Sequence, residues 1–315
     1  MSGIVTFCHR WTVIDCRAVL VRDKRPSMSM IPAATLRQAI SRDVAASIAE
    51  DEGTGDLTAA LIPADRTASA TIIARHDAVV AGRPWVEETL RQIDPRLRAD
   101  WHIDEGQWVI CESDPVILHL KGPARALMTA ERTVLNWLQT LSGVATRCRR
   151  YADRVAHTRV QLLDTRKTLP GLRLAQKYAV TQGGCHNHRI GLYDGILIKE
   201  NHIMACSSIM AAVEKARQQS ARVPVEVETE TTAEVAEAVA AGADIIMLDE
   251  FPLETAREMV QRYAGRVRFE ASGGVTAENL AQIAETGVDF ISLGALTKDV
   301  TAVDLSMRVT SDYMA

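Results

Sequence analysis

The residues most able to do chemistry fall in one window. Asp164-Thr165-Arg166-Lys167-Thr168 and Lys199-Glu200-Asn201-His202 each follow a short apolar run, and Gly183-Gly184-Cys185-His186-Asn187-His188-Arg189 lies between them. Six cations (Arg166, Lys167, Arg173, Lys177, Arg189, Lys199) face three anions (Asp164, Asp194, Glu200), so the window is positive in a chain of net charge −4. Arg173 and Lys177, four residues apart, read as a solvated helix face. The others follow strands or glycines and can converge. Arginine offers a planar fork to carboxylate or phosphate, and lysine a point charge, so the excess suits a ligand with more than one negative charge. Glu228 and Asp249 form a carboxylate pair fit to share Mg²⁺ with a pyrophosphate or to stabilise a developing positive charge. Ser272-Gly273-Gly274 and Gly294-Ala295 are turns whose exposed amides suit a phosphate. Lys199 as a Schiff-base nucleophile is the sharper rival. Zinc at Cys185-His186-Asn187-His188 is disfavoured, because the ligands are too close for a tetrahedral site.

These residues need elements that bring them together. From Val160 onward, short apolar runs at Val160–Leu163, Gly195–Ile198, Val223–Val227, Asp244–Leu248, Val267–Glu270 and Phe290–Leu293 alternate with helical patterns. Strands separated by helices predict a parallel sheet with crossover helices. Six units fall short of the eight of a closed (β/α)₈ barrel, and a doubly wound sheet is the runner-up, although no GxGxxG follows the first strand. In parallel barrels chemistry sits at the C-terminal strand ends, where each of these strands delivers polar residues or glycine.

Upstream, Leu36, Ile40, Val44 and Ile48 are spaced as a helix. Short β-like runs at Ala70–Ala74, Ala78–Ala81, Trp108–Cys111 and Val116–Leu120, with a helix at Val86–Ile93, predict a small α+β domain with a mostly antiparallel sheet. After Gly122-Pro123, Leu127, Ala130, Val134, Trp137, Leu138 and Leu141 mark a long connecting helix. The expected division is an extension over 1–30, an α+β domain with the connecting helix over 31–145, an α/β barrel domain over 146–300, and a segment over 301–315 returning to the N-terminal domain. Residues 1–30 fit no element; a loosely docked extension and an Arg-rich targeting arm are their two readings.

Composition excludes other classes. The 315 residues are 47% hydrophobic and 24% charged, ordinary for a globular chain. No charge-free run is long enough to span a bilayer, and the near-balanced charge offers no field for nucleic acid. Six scattered cysteines without a CxxC pair fit reduced thiols in a cytoplasm.

Several motifs in order are specific enough to name a family. Thr129-Ala130-Glu131-Arg132-Thr133-Val134-Leu135-Asn136, the segments after Asp164, Gly183 and Leu197, Val225-Glu226-Val227-Glu228, Glu270-Ala271-Ser272-Gly273-Gly274, and Gly55-Asp56-Leu57-Thr58 together resemble the quinolinate phosphoribosyltransferase family. The resemblance implies an open α/β barrel beside a smaller α+β domain. It also implies transfer of phosphoribose from phosphoribosyl pyrophosphate to quinolinate, releasing CO₂ and pyrophosphate and forming nicotinate mononucleotide for NAD biosynthesis. By resemblance, Arg132, Arg166, His188, Arg189 and Lys199 hold the two carboxylates of quinolinate. Thr165 joins the substrate site, and Lys167 lies near the pyrophosphate. Glu228 and Asp249 face the ribose and its Mg²⁺. Ser272, Gly273, Gly274, Gly294, Ala295 and Lys298 bind phosphate. The family forms dimers, in some cases hexamers, with Arg132 completing the neighbouring subunit's site. A diverged relative with another acceptor, such as the molybdenum-transport-associated protein, and a non-catalytic phosphate-ligand sensor are the alternatives.

Overall fold

In a computed structural model of the chain, residues 30–112 and 114–310 are described; the expectation for 1–30 lies outside them except at Met30. The chain begins with α1 (Ala33–Glu52) and a short 3₁₀ turn at Ala59–Leu61. Next come β1 (Thr67–Ala74), β2 (Ala78–Val79), α2 (Arg83–Ile93), β3 (Arg98–Trp101), β4 (Trp108–Val109) and β5 (Val116–Pro123). The helix α3 (Ala124–Val155), 32 residues long, then leads into the second half. There β6 (Gln161–Leu163), α4 (Arg173–Gln182), β7 (Ile196–Ile198), α5 (Glu200–Cys206), α6 (Ile209–Gln219), β8 (Val225–Thr229) and α7 (Thr232–Ala241) follow in order. They are succeeded by β9 (Ile245–Asp249), α8 (Leu253–Arg262), β10 (Arg268–Ser272), α9 (Leu280–Ala284), β11 (Phe290–Ser292), α10 (Ala295–Lys298) and β12 (Leu305–Thr310).

The N-terminal half is built on an antiparallel sheet in the order β12-β1-β5-β3. The outermost strand comes from the far end of the chain, pairing Ala74 with Leu305 and Ser69 with Thr310. Strands β3 and β12 have no counterpart among the expected runs. Arg98–Trp101 is half polar with few apolar positions to mark it, and β12 alternates Leu305, Met307 and Val309 with polar residues at an edge. The helix α3 buries Leu127, Ala130, Val134, Leu138 and Leu141 along one stripe, each 1% exposed or less, which is the spacing of a helix face laid on a core. Near its middle, Gly143 lets the segment after the barrel pass against the helix: a Cβ there would sit 2.1 Å from the Thr301 carbonyl oxygen. Trp85 of α2, fully buried, stacks on Trp137 of α3 at 5.8 Å.

The second half is a parallel sheet in the order β6-β11-β10-β9-β8-β7, an open barrel of six strands, with β6 and β7 at its two ends. Successive residues of a strand point to opposite faces, so inward positions stack in layers, as in other α/β barrels. Leu163, Ile245 and Phe290 form an apolar cluster of their own that plugs the bottom. Across β8, β9 and β10 the paired rows on this face are Glu226 with Ile245, then Glu228 with Met247 and Glu270, then Asp249 with Ser272 at the strand ends. The outward set, including Val225, Val227, Ile246 and Phe269, joins the apolar core beneath the helices. Between strands the helices start on recognisable signals. Thr231 and Glu234 form a reciprocal capping box on α7, and Gly242 ends it in the left-handed region.

Candidate active site

At the top of the barrel the strand ends enclose a cavity of about 380 Å³. Its lining includes Thr165, Arg166, Lys167, Arg189 and Lys199 together with Glu228, Asp249, Ser272 and Gly273. Wider clefts, of about 520 and 780 Å³, lie on the surface beside Arg150 and Arg42, but neither is lined by residues of β7 to β10. All three hold both cations and carboxylates, but of the three only the strand-end cavity draws them from the ends of the parallel strands.

The cationic wall comes from three segments. Thr165, just past β6, accepts the Lys167 amide on its hydroxyl (3.0 Å), while Thr297 of α10 donates to the Lys167 carbonyl (2.8 Å). Arg189 stands on the loop after α4 and donates to the Gly195 carbonyl (3.2 Å). Burial, and then the nearby Arg166 cation, pull the Arg189 pKa down. Both guanidiniums line the same cavity, where an anion would relieve their repulsion. Arg166 Nε is itself buried with no partner among the described residues. Lys199 ends β7 and pairs with Glu228. Its amide donates to His202 Nδ1 (3.0 Å), which gives His202 a local structural part.

The rest of the lining is shaped by glycine. Gly273 has φ +81°, and a Cβ there would lie 2.7 Å from Asp249 Oδ1 and 2.4 Å from Glu250 Cγ. Only glycine fits that conformation and that approach. Gly274 follows at φ +57°. Gly294 brings its backbone against two lysines: a Cβ would meet Lys167 Cδ at 3.0 Å and Lys298 Cδ at 3.8 Å. Gly274, Gly294, Ala295 and Lys298 stand beside the cavity lining rather than in it.

Of the expected substrate contacts, Arg132 is the one assigned to a neighbouring subunit's site, and His188 is one assigned to this cavity. Arg132 is exposed on α3 and is not part of this cavity within one chain. His188 lines the cavity but turns both ring nitrogens to the protein. Nδ1 faces the Arg189 amide at 2.7 Å, and Nε2 lies 2.9 Å from Glu226 and 3.4 Å from Glu270. Burial opposes charge on this ring, but Glu270 and Glu226 together outweigh it and hold its pKa above the ordinary value. Burial, then repulsion from Glu270, raises that of Glu226. With Nε2 beside two carboxylates, His188 is held by protein groups where it lines the cavity. One donor atom from each of His188, Glu226 and Glu270 lies within 4.8 Å of the others.

Lys177 corrects the solvated-face reading. It is fully buried and paired with Asp164, also fully buried. The charge-separated signal was the same as for a surface helix, because four-residue spacing says nothing about which face looks inward. Glu226 and Glu270 were also missed, although each lies two residues before an expected site residue, Glu228 or Ser272, and therefore on the same strand face.

An open parallel barrel whose pocket joins several cations to carboxylates and glycine turns defines an enzyme that handles polyanionic substrates at its strand ends. Residues 56–142 match the quinolinate phosphoribosyl transferase N-terminal domain and residues 144–308 the C-terminal domain of the same family. The chain belongs to the quinolinate phosphoribosyltransferase family. It is 45% identical over 262 residues, covering 83% of this chain and 90% of the relative, to a probable carboxylating nicotinate-nucleotide pyrophosphorylase of Bacillus subtilis. It is 39% identical to a chloroplastic carboxylating nicotinate-nucleotide pyrophosphorylase of Arabidopsis thaliana, covering 84% and 81% of the two chains. The solved nicotinate-nucleotide pyrophosphorylase of Francisella tularensis superposes with a TM-score of 0.85 at 42% identity, over 91% of this chain and all of that one. Among the described residues no helix is long and apolar enough to cross a membrane.

Proposed function

We propose that this enzyme transfers the phosphoribosyl group of phosphoribosyl pyrophosphate to the ring nitrogen of quinolinate and releases pyrophosphate and CO₂, leaving nicotinate mononucleotide. The observation that carries this reading is the convergence of Arg166, Arg189 and Lys199 with Glu228 and Asp249 on one strand-end cavity. A dicarboxylate supplies the missing negative charge. Its second carboxylate also distinguishes it from nicotinic acid, which would leave half of the cations unpaired.

The chain's own groups account for the steps. Arg166, Arg189 and Lys199 hold the pyridine with its nitrogen toward the ribose carbon, replacing much of the entropy of encounter by orientation. As the bond to pyrophosphate breaks, positive charge grows on the ribose and is met by the fixed carboxylates of Glu228 and Asp249. The nitrogen lone pair forms the new bond. Once the nitrogen is cationic, the bond from ring C2 to its carboxylate can break, because the electron pair left on C2 sits beside positive charge and then takes up a proton. Lys167, next to the Gly294 turn, meets the departing pyrophosphate, and the amides of Ser272–Gly274 and Gly294–Ala295, with Lys298, hold the 5′-phosphate.

Glu228 and Asp249 also fit Mg²⁺, as hard oxygen ligands beside a phosphate site. The ion would supply charge neutralisation for the pyrophosphate. We infer further that Arg132 acts in the cavity of a partner subunit of a homodimer, since it is exposed on α3 and does not line its own cavity. The free thiols of Cys111, Cys148, Cys185 and Cys206 support a reducing, cytoplasmic setting.

Incubating the purified enzyme with quinolinate, phosphoribosyl pyrophosphate and Mg²⁺ should give equal amounts of nicotinate mononucleotide and CO₂, and chelation by EDTA should stop both. Phosphoribosyl transfer without CO₂ would show another acceptor. Mixing inactive Arg132→Ala and Lys199→Ala chains tests the shared site: if subunits exchange in a two-fold dimer, about a quarter of wild-type activity returns. No recovery after proven exchange would place Arg132 outside the partner's site.

A further inference from the structure

Asp164 follows β6 immediately and precedes Thr165, Arg166 and Lys167. Its carboxylate and the Lys177 ammonium are both fully buried, so neither can touch a substrate, and neither lines the cavity. What they hold is the backbone of the other cationic segment. Asp164 Oδ1 accepts from Lys177 and from the His188 amide (2.9 Å), and Oδ2 accepts from the Asn187 side chain (2.7 Å). Lys177 donates in turn to the His188 carbonyl (3.1 Å). The Asn187 side chain also donates to the Lys177 carbonyl (2.9 Å). The backbone of His188 is thus gripped at its N–H by a carboxylate and at its C=O by an ammonium, which fixes the peptide units on both sides of it. The same loop is zipped to the free edge of β6 by the His186 amide on Leu162 (2.8 Å) and the Asp164 amide on His186 (3.0 Å).

Stability alone gives no reason for such a pair. Burial pushes the Asp164 pKa up and the Lys177 pKa down, each opposed chiefly by the other. Replacing a buried ion pair with apolar groups of similar volume is often neutral or stabilising. Apolar groups cannot, however, satisfy the N–H and the C=O of the His188 backbone.

We propose that Asp164, Lys177 and Asn187 are positioning residues, a buried clamp that fixes Arg166 and the His188–Arg189 segment at one separation, matched to two carboxylates on adjacent ring carbons, whereas Lys167 is held separately through Thr165 and Thr297. The inference rests on quinolinate being the acceptor. The clamp acts on the acceptor half of the site, and the glycine turns that hold phosphate lie outside it.

Steady-state kinetics with each substrate varied in turn tests this, using the full chain with Mg²⁺. For Asp164→Asn/Lys177→Met, in which both charges go together, the KM for quinolinate should rise roughly tenfold or more, as expected for misplaced binding groups, while the KM for phosphoribosyl pyrophosphate stays within about twofold. Asn187→Ala keeps the ion pair and should shift the quinolinate KM in the same direction by a smaller factor, so the test stands even if the double variant does not fold. Equal rises in both KM values, or an unchanged quinolinate KM in folded Asn187→Ala, would overturn the clamp. A wild-type enzyme that ignores quinolinate would instead overturn the acceptor on which the inference rests, and the two failures are told apart by that control.

Discussion

The two walls of the cavity hold anions by different means. On the acceptor wall, Arg166, Arg189 and Lys199 are long side chains whose placement depends on buried partners, from Asp164 and Lys177 behind one segment to Glu226 and Glu270 behind His188. On the wall proposed to hold phosphate, the groups are backbone amides shaped by Gly273, with Gly274 and Gly294 beside it, and their supports are local: the Glu250 amide donates to the Ser272 carbonyl (3.0 Å) and the Asn279 side chain to the Gly274 carbonyl (2.9 Å). A charge held on a flexible stem needs a scaffold to give it specificity, whereas a backbone turn carries its geometry in its own dihedral angles. The first wall should therefore fail through loss of charge or of buried support, and the second through added bulk.

Substitutions on each wall can break this contrast. The largest loss is expected for Arg189→Ala or Lys199→Ala, which should lower kcat/KM by at least tenfold, equivalent to at least about 1.4 kcal/mol; wild-type rates in either would remove that residue from the site. Gly273→Ala comes next, because its methyl must displace Asp249 or Glu250 while the backbone keeps φ near +81°. Strain of this kind is worth about 1–3 kcal/mol and should appear mainly as a raised KM for phosphoribosyl pyrophosphate. An effect confined to quinolinate would erase the division between walls. The smallest change is expected for Lys298→Ala: the side chain is exposed, its charge is screened by water, and a loss worth under about 1 kcal/mol should leave kcat/KM within about fivefold at physiological salt. A hundredfold fall would make Lys298 a principal phosphate ligand.

Most of the site can be read from the sequence because strand exits concentrate it. Thr165-Arg166-Lys167, Lys199, Glu228, Asp249 and Ser272-Gly273 each follow or end an apolar run, and convergence of strand ends then brings them to one cavity. The buried supports are less legible. Lys177 carries the same helical spacing as a surface lysine, and only the fold shows that this face of α4 looks into the protein. Glu226 is more nearly readable, since a period of two puts it on the face of Glu228, yet charge inside a strand is rare enough that flanking valines dominate the pattern. Arg132 is legible only through resemblance, because its expected place depends on a second chain. The edge strand β12 was hidden for a related reason: its pairing with β1 joins residues more than 230 positions apart, and no local pattern encodes that partner.

The claim at the centre is that cations converging with Glu228 and Asp249 on one cavity read a pyridine with two carboxylates. Its most direct test offers quinolinate and nicotinic acid separately to the purified enzyme, with phosphoribosyl pyrophosphate and Mg²⁺, and measures nicotinate mononucleotide and CO₂. Product with CO₂ from quinolinate and none from nicotinic acid is the predicted result. Product from nicotinic acid with none from quinolinate would contradict it.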